Sequence, residues 1–133
     1  MSWTASRLVE FQHCDANGIV FYPRYFEMIN SVIEECFRTR LHYAFGPMHL
    51  QDRKGVPTAT IKVDFHAPSY LDDRLDFTLS LDRIGTSSIT VRLEVTCGAE
   101  ARLTSVSTLV HSDMDTRRST PWPDPVRAAL TAI

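Results

Sequence analysis

The sequence predicts an α+β domain in which an antiparallel β-sheet wraps around one long central α-helix. Apolar residues recur at helical spacing over residues 22–41, and they alternate with polar residues at a period of two over several later stretches. A single helix and a single antiparallel sheet each have an apolar surface to bury, so they must cover each other. With 133 residues the chain has the length of one domain, and we expect a single domain over 1–133.

The first predicted elements are a strand at residues 5–11 and the long helix. The apolar residues of the helix follow an i, i+3, i+4, i+7 recurrence at Tyr25, Phe26, Met28, Ile29, Val32, Ile33, Cys36, Phe37 and Leu41. Pro23 suits the first turn, because the amide that proline lacks would have no acceptor within the helix there. The breadth of this apolar stripe predicts a helix that is covered on much of its circumference.

Four strands are expected to follow the helix as a meander. Three of them, residues 61–66, 75–82 and 89–96, alternate apolar and polar side chains. Such alternation is typical of half-buried strands in an antiparallel sheet. The breaks at residues 83–86 and 97–100 are short enough to be hairpin turns.

The last strand and a terminal helix complete the predicted order. The strand at residues 101–111 carries apolar residues of both parities, which predicts that it is covered on both faces. Residues 125–132 are expected to form a short helix, with Asp124 as its N-cap and Pro125 in its first turn. The edges of such a sheet need covering, so oligomerisation is expected.

Composition and charge exclude several functional classes. The hydrophobic share of 44% and the charged share of 23% are those of a globular protein. The net charge of −2 comes without a basic cluster, which argues against nucleic-acid binding. No apolar stretch is long enough for a membrane span, and no signal peptide is recognisable. The three cysteines are far apart, which argues against a disulfide framework and favours a reducing, cytoplasmic location.

The chemistry is expected in residues 10–25, EFQHCDANGIVFYPRY, where polar groups precede the long helix. The unpaired amides and the dipole of a helix N-terminus stabilise an anion, including one that develops in a transition state. The alternative interpretation is that Asp15 and Asn17 only form a turn. The histidines lack metal-ligand spacing, so no metal site is expected. No GxSxG, GxGxxG or P-loop motif occurs, which disfavours serine-hydrolase, dinucleotide-dependent and kinase chemistry.

Three segments resemble a known family. The segment FQHCDANGIVFYPRYFEMIN is similar to the signature of the 4-hydroxybenzoyl-CoA thioesterase family of the hotdog-fold superfamily, in which an Asp lies three residues before a Gly and an apolar-aromatic stretch enters the central helix. The similarity continues in DFHAPSYLDDRL, residues 64–75, and more weakly in DRIGTSSITVRLEV, residues 82–95. It covers about residues 8–112. The resemblance implies a hotdog fold and thioester chemistry.

Two groups carry the chemistry that this resemblance implies. Asp15 matches the catalytic carboxylate, which attacks the thioester carbonyl to give a mixed anhydride or acts as general base on water. The backbone N–H of Tyr22, at the start of the helix, matches the oxyanion donor. Cys14 is expected to be a small buried hydrophobe rather than a nucleophile. His13 is open to a catalytic, an orienting or a purely structural role.

The resemblance also implies substrate contacts. Gly18 belongs to the catalytic loop, and Asn30 stands where aromatic-specific members carry a carboxylate that reaches a ring substituent. Thr58 and Thr60 match the strand beside the pantetheine arm of CoA, although strand propensity alone explains them. Nucleotide and phosphate contacts are implied for the serine pair and two arginines: Ser87, Ser88, Arg83 and Arg92. Arg92 also fits a solvated strand face.

The function predicted is hydrolysis of an acyl-CoA thioester, with an aromatic, benzoyl-type acyl group favoured by the aromatic residues around Asp15. The alternatives are a thioesterase for short or medium aliphatic acyl-CoA or acyl-carrier-protein thioesters, and a non-catalytic acyl-CoA binding module. CoA is part of the substrate, and no further cofactor is expected. The resemblance implies a homodimer that assembles into a homotetramer, with a continuous sheet across two protomers and active sites at their interface.

Overall fold

The computed structural model describes all 133 residues and contains one long helix, two short helices and seven strands. The helices are α1 Tyr22–Thr39, α2 Phe45–Leu50 and α3 Asp124–Thr131, and a 3₁₀ turn spans Phe11–His13. The strands are β1 Trp3–Leu8, β2 Lys54–Gly55, β3 Thr58–Phe65, β4 Arg74–Ile84, β5 Ser88–Cys97, β6 Glu100–Val110 and β7 Ser112–Asp113. The long predicted helix and the period-two strands are therefore present.

The main sheet has five antiparallel strands in the order β1-β4-β5-β6-β3, and a second sheet pairs β2 with β7. One face of α1 is buried against the main sheet, because its apolar stripe and the inward residues of the strands form a single hydrophobic cluster. Val32 and Phe77, at the centre of this cluster, have no exposed surface. The predicted α+β architecture, a sheet around one long helix, is confirmed.

The strand order corrects the predicted meander of four strands. Strands β4, β5 and β6 are consecutive neighbours, but β3 lies beside β6 at the far edge, and β1 occupies the place next to β4. Burial explains the arrangement: Leu75 and Phe77 of β4 are completely buried, whereas Ile61 and Phe65 of β3 are 40% and 51% exposed. The more apolar strand takes the interior of the sheet, and β3 remains an edge strand that is exposed along most of its length.

Three predicted boundaries were wrong for local reasons. The first strand ends at Leu8, and Phe11 lies in the 3₁₀ turn, because the side chains of Glu10 and His13 bind each other's backbone amides and bend the chain. Strand β4 continues through residues 83 and 84 past a bulge, so the hairpin turn is residues 85–87. Asp124 is already helical and its side chain caps nothing; the N-cap residue is Pro123.

The interpretation of β6 was also wrong. Its inward residues alternate regularly and are buried, whereas Val106 and Val110 on the other face are only half-buried. The strand is therefore covered on one face, and two of its inward positions are the small polar residues Ser105 and Ser107. Helix α2 was missed because six residues around a Gly-Pro pair are too few to show a helical period.

No helix of the protein is both long enough and apolar enough to cross a membrane. No three or more His, Cys, Asp or Glu side chains lie close enough together to hold a metal ion.

Candidate active site

Asp15 lies in a short hairpin that leads directly into α1. The Asp15 N–H donates to the Ile19 carbonyl at 2.9 Å, and the Phe21 N–H donates to the His13 carbonyl at 2.9 Å. Cys14 and Val20 face each other as a bridge pair between these two bonds. The arm that carries Asp15 is therefore tied to the residues that start the helix.

The turn of this hairpin holds the Asp15 side chain. The Gly18 N–H donates to the Asp15 carbonyl at 3.0 Å, and the Asn17 N–H donates to Asp15 Oδ1 at 2.8 Å. This geometry is compatible with Asp15 as a turn-forming residue and with Asp15 as a catalytic carboxylate. One carboxylate oxygen forms the turn, while Oδ2 has no hydrogen-bond partner within the chain. Asp15 is exposed, so Oδ2 can reach a substrate or a water molecule.

Gly18 has a φ of +75°, which favours glycine, and a Cβ at this position would meet no atom within 4 Å. We expect Gly18→Ala to lower the free energy of unfolding by about 1–2 kcal/mol, because the penalty is conformational rather than steric. It should also lower kcat by loosening Asp15. Urea unfolding and thiol-release assays measure the two effects.

Gly98 provides the matched control, because it has a φ of +58°, an equally open surrounding and a place in the β5–β6 turn. Gly98→Ala should cause a similar loss of stability with kcat unchanged. Equal kcat in the two variants would show that the conformation at Gly18 does not position Asp15.

The Tyr22 N–H is a free donor at the start of α1. The amides on either side are satisfied or absent: the Phe21 and Arg24 N–H groups are hydrogen-bonded, and Pro23 has none. The Tyr22 N–H itself has no acceptor in the chain, as expected for the first helical residue. It lies at the N-terminus of an 18-residue helix, the positive end of the helix dipole, and can donate a hydrogen bond to an oxyanion. The Tyr22 side chain is 60% exposed and plays no part in this donor.

An open cleft of about 420 Å³ lies against Asp15, and its other walls are Phe11, Cys14, Ala16, Gly18 and Leu71. The pKa of the Cys14 thiol is raised above its ordinary value by burial and by the neighbouring Asp15 and Asp72 carboxylates. The thiol is therefore protonated at neutral pH and is a poor nucleophile, and the other ionisable side chain that lines this cleft is Asp15.

The structure does not bring His13 into this cleft. His13 Nδ1 accepts the Glu10 N–H at 2.8 Å, which puts the ring proton of the neutral side chain on Nε2. The ring lines a separate polar cleft between β1 and α1, together with Arg7 and Glu27. These contacts hold the His13 ring in the 3₁₀ turn, away from the cleft that contains Asp15.

Asn30 and Thr58 come together in a slot of about 240 Å³ between α1 and the β3–β6 pair. Most of the slot is apolar, lined by Phe26, Ile29, Ile33, Phe45, Val56, Ile61 and Leu109. Ser107, which no sequence pattern indicated, adds a third polar group. A bulge between Thr58 and Thr60 puts Thr58 on the inner face with Ile61, and Thr60 pairs with Thr108 on the outer face. Thr60 therefore points away from the slot.

The proposed nucleotide residues lie at the other end of the sheet. Arg83 is nine residues along β4 from Arg74, so roughly 30 Å of strand separates it from the Asp15 end. The backbone of Ser87 and Ser88 is tied down, since the Ser87 carbonyl accepts the His111 N–H and the Ser88 carbonyl accepts Trp122 Nε1–H. Arg92 binds both carboxylate oxygens of Asp82, which fits the solvated strand face rather than a free phosphate ligand.

Sequence reasoning also missed the residues that support the hairpin from outside. Ser69, Asp73 and Arg102 form a hydrogen-bonded group beneath it. Asp73 and Arg102 are 29 positions apart, so no local spacing links them. Asp73 stands in the segment DFHAPSYLDDRL that carries the resemblance, but nothing in the sequence connects it with Arg102.

Comparison with known proteins identifies relatives along nearly the whole chain. Residues 9–130 match the thioesterase-like superfamily. The 1,4-dihydroxy-2-naphthoyl-CoA hydrolase of Nostoc punctiforme is 25% identical over 131 residues, which cover 95% of this chain and 84% of the relative.

Solved structures show the same fold. The crystal structure of a 1,4-dihydroxy-2-naphthoyl-CoA thioesterase from Synechocystis superposes with a TM-score of 0.91 at 19% identity, over 100% of this chain and 98% of the other. A gentisyl-coenzyme A thioesterase gives a TM-score of 0.82 at 24% identity, over 96% of this chain and 99% of the other. A Staphylococcus aureus protein solved in complex with CoA gives 0.90 at 15% identity, over 99% and 83%. The predicted hotdog fold is confirmed.

Proposed function

The chain belongs to the thioesterase-like superfamily and is an acyl-CoA thioesterase, and from this premise we propose that it hydrolyses the CoA thioester of an aromatic acid with Asp15 as the reacting carboxylate. One observation carries the proposal. A single hairpin holds the free carboxylate oxygen of Asp15 and leads directly into the free Tyr22 N–H of α1. A nucleophile or base and an oxyanion donor are the two groups that thioester hydrolysis needs.

The mechanism follows from these two groups. The thioester carbonyl oxygen accepts the Tyr22 N–H, and the positive end of α1 stabilises the negative charge that develops on it. Asp15 Oδ2 attacks the carbonyl carbon and the CoA thiolate leaves, after which water cleaves the mixed anhydride; alternatively, Asp15 takes the proton from a water molecule that attacks directly. Neither route needs a cofactor beyond the CoA of the substrate.

The slot beside α1 supports an aromatic acyl group. Phe26, which lines the slot, lies four residues from Tyr22, which is about 6 Å along the helix axis. With about 240 Å³ the slot is smaller than a typical pocket for a whole drug-sized ligand, so it suits the acyl group alone. Three of the proteins named above are described as acting on aromatic acyl-CoA thioesters, two on 1,4-dihydroxy-2-naphthoyl-CoA and one on gentisyl-CoA. Asn30, Thr58 and Ser107 give the slot hydrogen-bonding groups for such a ring.

A homodimer through the open edge of β3 is the second part of the proposal. The His66 N–H donates to the Arg102 carbonyl, and counting back from this bond, every second residue of β3 bonds to β6. The residues between them have their N–H and C=O groups on the open edge. The outward residues are Ile61, Val63 and Phe65. An exposed edge of this kind is a template for a second copy of the same strand.

The charges of β3 select one register for this pairing. With Val63 opposite the partner's Val63, Lys62 faces the partner's Asp64 and Ile61 faces the partner's Phe65. A shift to either neighbouring register with the same backbone pairing sets Lys62 against the partner's Lys62, or Asp64 against the partner's Asp64. Like charges directly opposite each other are destabilising, so the Val63-centred register is favoured.

This dimer would make the active site composite. Antiparallel pairing brings the Thr58 end of one β3 beside the Phe65 end of the partner. Phe65 and the three residues after it line a pocket together with Tyr22 and Tyr25. Thr58 of one protomer would therefore complete the active site that contains the oxyanion donor of the partner. The hairpin with Ser87 and Ser88 lies two strands behind Thr58 and would be part of the same site. Assembly of dimers into a tetramer remains part of the proposal on the resemblance alone.

A panel of thioesters tests the acyl group. We expect thiol release to be at least about tenfold faster, in kcat/KM, for benzoyl-, hydroxybenzoyl- and phenylacetyl-CoA than for straight-chain acyl-CoA, because the slot is small and apolar, with two phenylalanine rings and three polar groups in its walls. Preference for straight chains would replace the aromatic proposal with an aliphatic one. If no CoA thioester is cleaved, hydrolysis of an acyl-carrier-protein thioester is measured next. If that thioester is bound but not hydrolysed, the protein is a binding module rather than an enzyme.

A further inference from the structure

Loop 66–73 forms a third arm of the Asp15 hairpin. The Val20 N–H donates to the Ser69 carbonyl at 2.9 Å, and the Leu71 N–H donates to the Gly18 carbonyl at 3.0 Å. Ile19 and Tyr70 are a bridge pair between these bonds. The returning strand of the hairpin therefore has Asp15 on one side and the loop on the other.

The loop also forms part of the cleft and of the turn that carries Asp15. Leu71 is one wall of the cleft that contains Asp15. The Gly18 carbonyl, which accepts the Leu71 N–H, belongs to the residue whose N–H closes the turn on Asp15. A displacement of the loop would therefore be transmitted to Asp15 through Gly18.

Arg102, on β6, holds this loop at both of its ends. Its Nη1 donates to Asp73 Oδ2 at 2.7 Å and to Ser69 Oγ at 3.2 Å, and its carbonyl accepts the His66 N–H at 2.9 Å. Asp73 Oδ2 also accepts the Tyr70 N–H at 2.9 Å. One guanidinium and one carboxylate thus hold the loop backbone where it meets the hairpin.

This ion pair differs from the other arginine–aspartate pairs of the protein in its burial. The side chains of Arg102 and Asp73 are 9% and 25% exposed, whereas those of Arg92 and Asp82 are 37% and 36% exposed. The hydrogen bonds from Arg102 and from the Tyr70 N–H lower the pKa of Asp73. A buried pair specifies one local conformation more sharply than a solvated pair, which water can replace. The Nε of Arg102 makes no hydrogen bond and lies 2.5 Å from the carboxylate of Glu100, whose side chain is exposed, so the bonds that hold the loop come from Nη1.

We propose that Arg102 is a positioning residue for Asp15, which acts by locking loop 66–73, through Asp73 and Ser69, against the hairpin that carries the carboxylate. The inference rests on the proposed role of Asp15 and goes beyond it. It assigns to a residue on β6, with no contact to the substrate, control over the geometry of the reacting group.

The first test replaces the guanidinium. We expect Arg102→Met to lower kcat by about tenfold to a hundredfold with a smaller change in KM, because misplacement by about 1 Å is sufficient for such a loss. Amide exchange at Val20 and Leu71 should accelerate, with exchange at Leu93 in the middle of β5 unchanged. Arg102→Lys keeps the charge, but its three N–H donors sit on one nitrogen and lack the planar geometry of the guanidinium, so it should recover part of kcat.

A double variant separates positioning from stability. In Arg102→Met/Asp73→Leu both charged side chains are replaced by apolar ones. The Asp73 carboxylate that Arg102→Met leaves unpaired is then gone, so the melting temperature should return to about that of the protein without substitutions. The bonds to Ser69 and to the Tyr70 N–H are still missing, so kcat should stay low. Recovery of kcat together with the melting temperature would overturn the proposal and leave Arg102 a stabilising residue.

Two further variants keep the test decisive. Arg92→Met removes the guanidinium of the solvated pair with Asp82 and should leave kcat and the exchange of Val20 and Leu71 unchanged. If Arg102→Met does not fold, Asp73→Asn, which preserves shape, is measured instead with the same expectations. Unchanged exchange at both amides rejects the positioning role whatever the turnover. Absence of turnover in the unmodified protein rejects the proposed function, while the exchange data still decide whether Arg102 locks the hairpin.

Discussion

Replacement of Asp15 by asparagine should lower kcat for aryl-CoA hydrolysis by about a thousandfold, within the range of about 10²–10⁴ that a lost general base or nucleophile typically causes. The amide side chain is isosteric, and its oxygen can still accept the Asn17 N–H that forms the turn. Binding of the thioester should therefore persist, while the anionic oxygen that reacts is gone. Thiol release measures kcat, and calorimetric titration with an aryl-CoA measures binding.

Asp72→Asn is the matched control for this prediction. Asp72 lies in the adjacent loop, close enough for its carboxylate to raise the pKa of Cys14, and it has a φ of +72°, which asparagine adopts readily. The control makes the same chemical change near the same cleft and should retain kcat within about twofold of the original. An Asp15→Asn variant as active as Asp72→Asn would exclude Asp15 as the reacting group.

Val63→Pro should convert the dimer into monomers and lower kcat by about a hundredfold, because the site proposed above is completed by the partner. The Val63 N–H faces the open edge, so proline removes no hydrogen bond within the protomer's own sheet. The fold of the protomer is therefore expected to survive. Sedimentation measures the mass, circular dichroism the fold, and thiol release the activity.

Charge exchange across the same strand checks the register. Lys62→Asp sets like charges opposite each other and should weaken the dimer, and adding Asp64→Lys in the same chain should restore it, since the pair is then reversed. A protein that is dimeric with Val63→Pro, or a double exchange that fails to rescue Lys62→Asp, would rule out the pairing centred on Val63. A monomeric variant with full turnover would show that each protomer contains a complete site.

The part of the candidate site that the sequence anticipated is local. Asp15, Gly18 and the Tyr22 N–H lie within eight consecutive positions, and their geometry depends on a turn and on the start of a helix. Both are governed by residues that are neighbours in the chain: a residue that adopts positive φ, an aspartate that binds a nearby amide, and a proline that tolerates the first helical turn. Residue patterns over short windows indicate the turn and the helix start, and the resemblance assigns the roles of Asp15 and the Tyr22 N–H.

Two residues were misplaced because the backbone is irregular where they lie. His13 turns towards Glu10 and lines a different cleft from Asp15, and Thr60 faces outward because a bulge resets the parity of β3. Both depend on small local irregularities that a period-two pattern does not reveal. Ser107 was overlooked because a serine in a strand is unremarkable until the slot beside it is seen.

The sequence by itself therefore determined the long helix, the long strands and the fold class, because these follow from hydrophobic periodicity, and the resemblance pointed to Asp15 and the Tyr22 N–H in the segment that enters α1. Only the tertiary structure decided the order of the strands, the open edge of β3 and the lock that Arg102 places on loop 66–73. These depend on contacts such as that between Arg102 and Asp73, which chain folding brings together from distant positions and which burial in the folded protein makes specific.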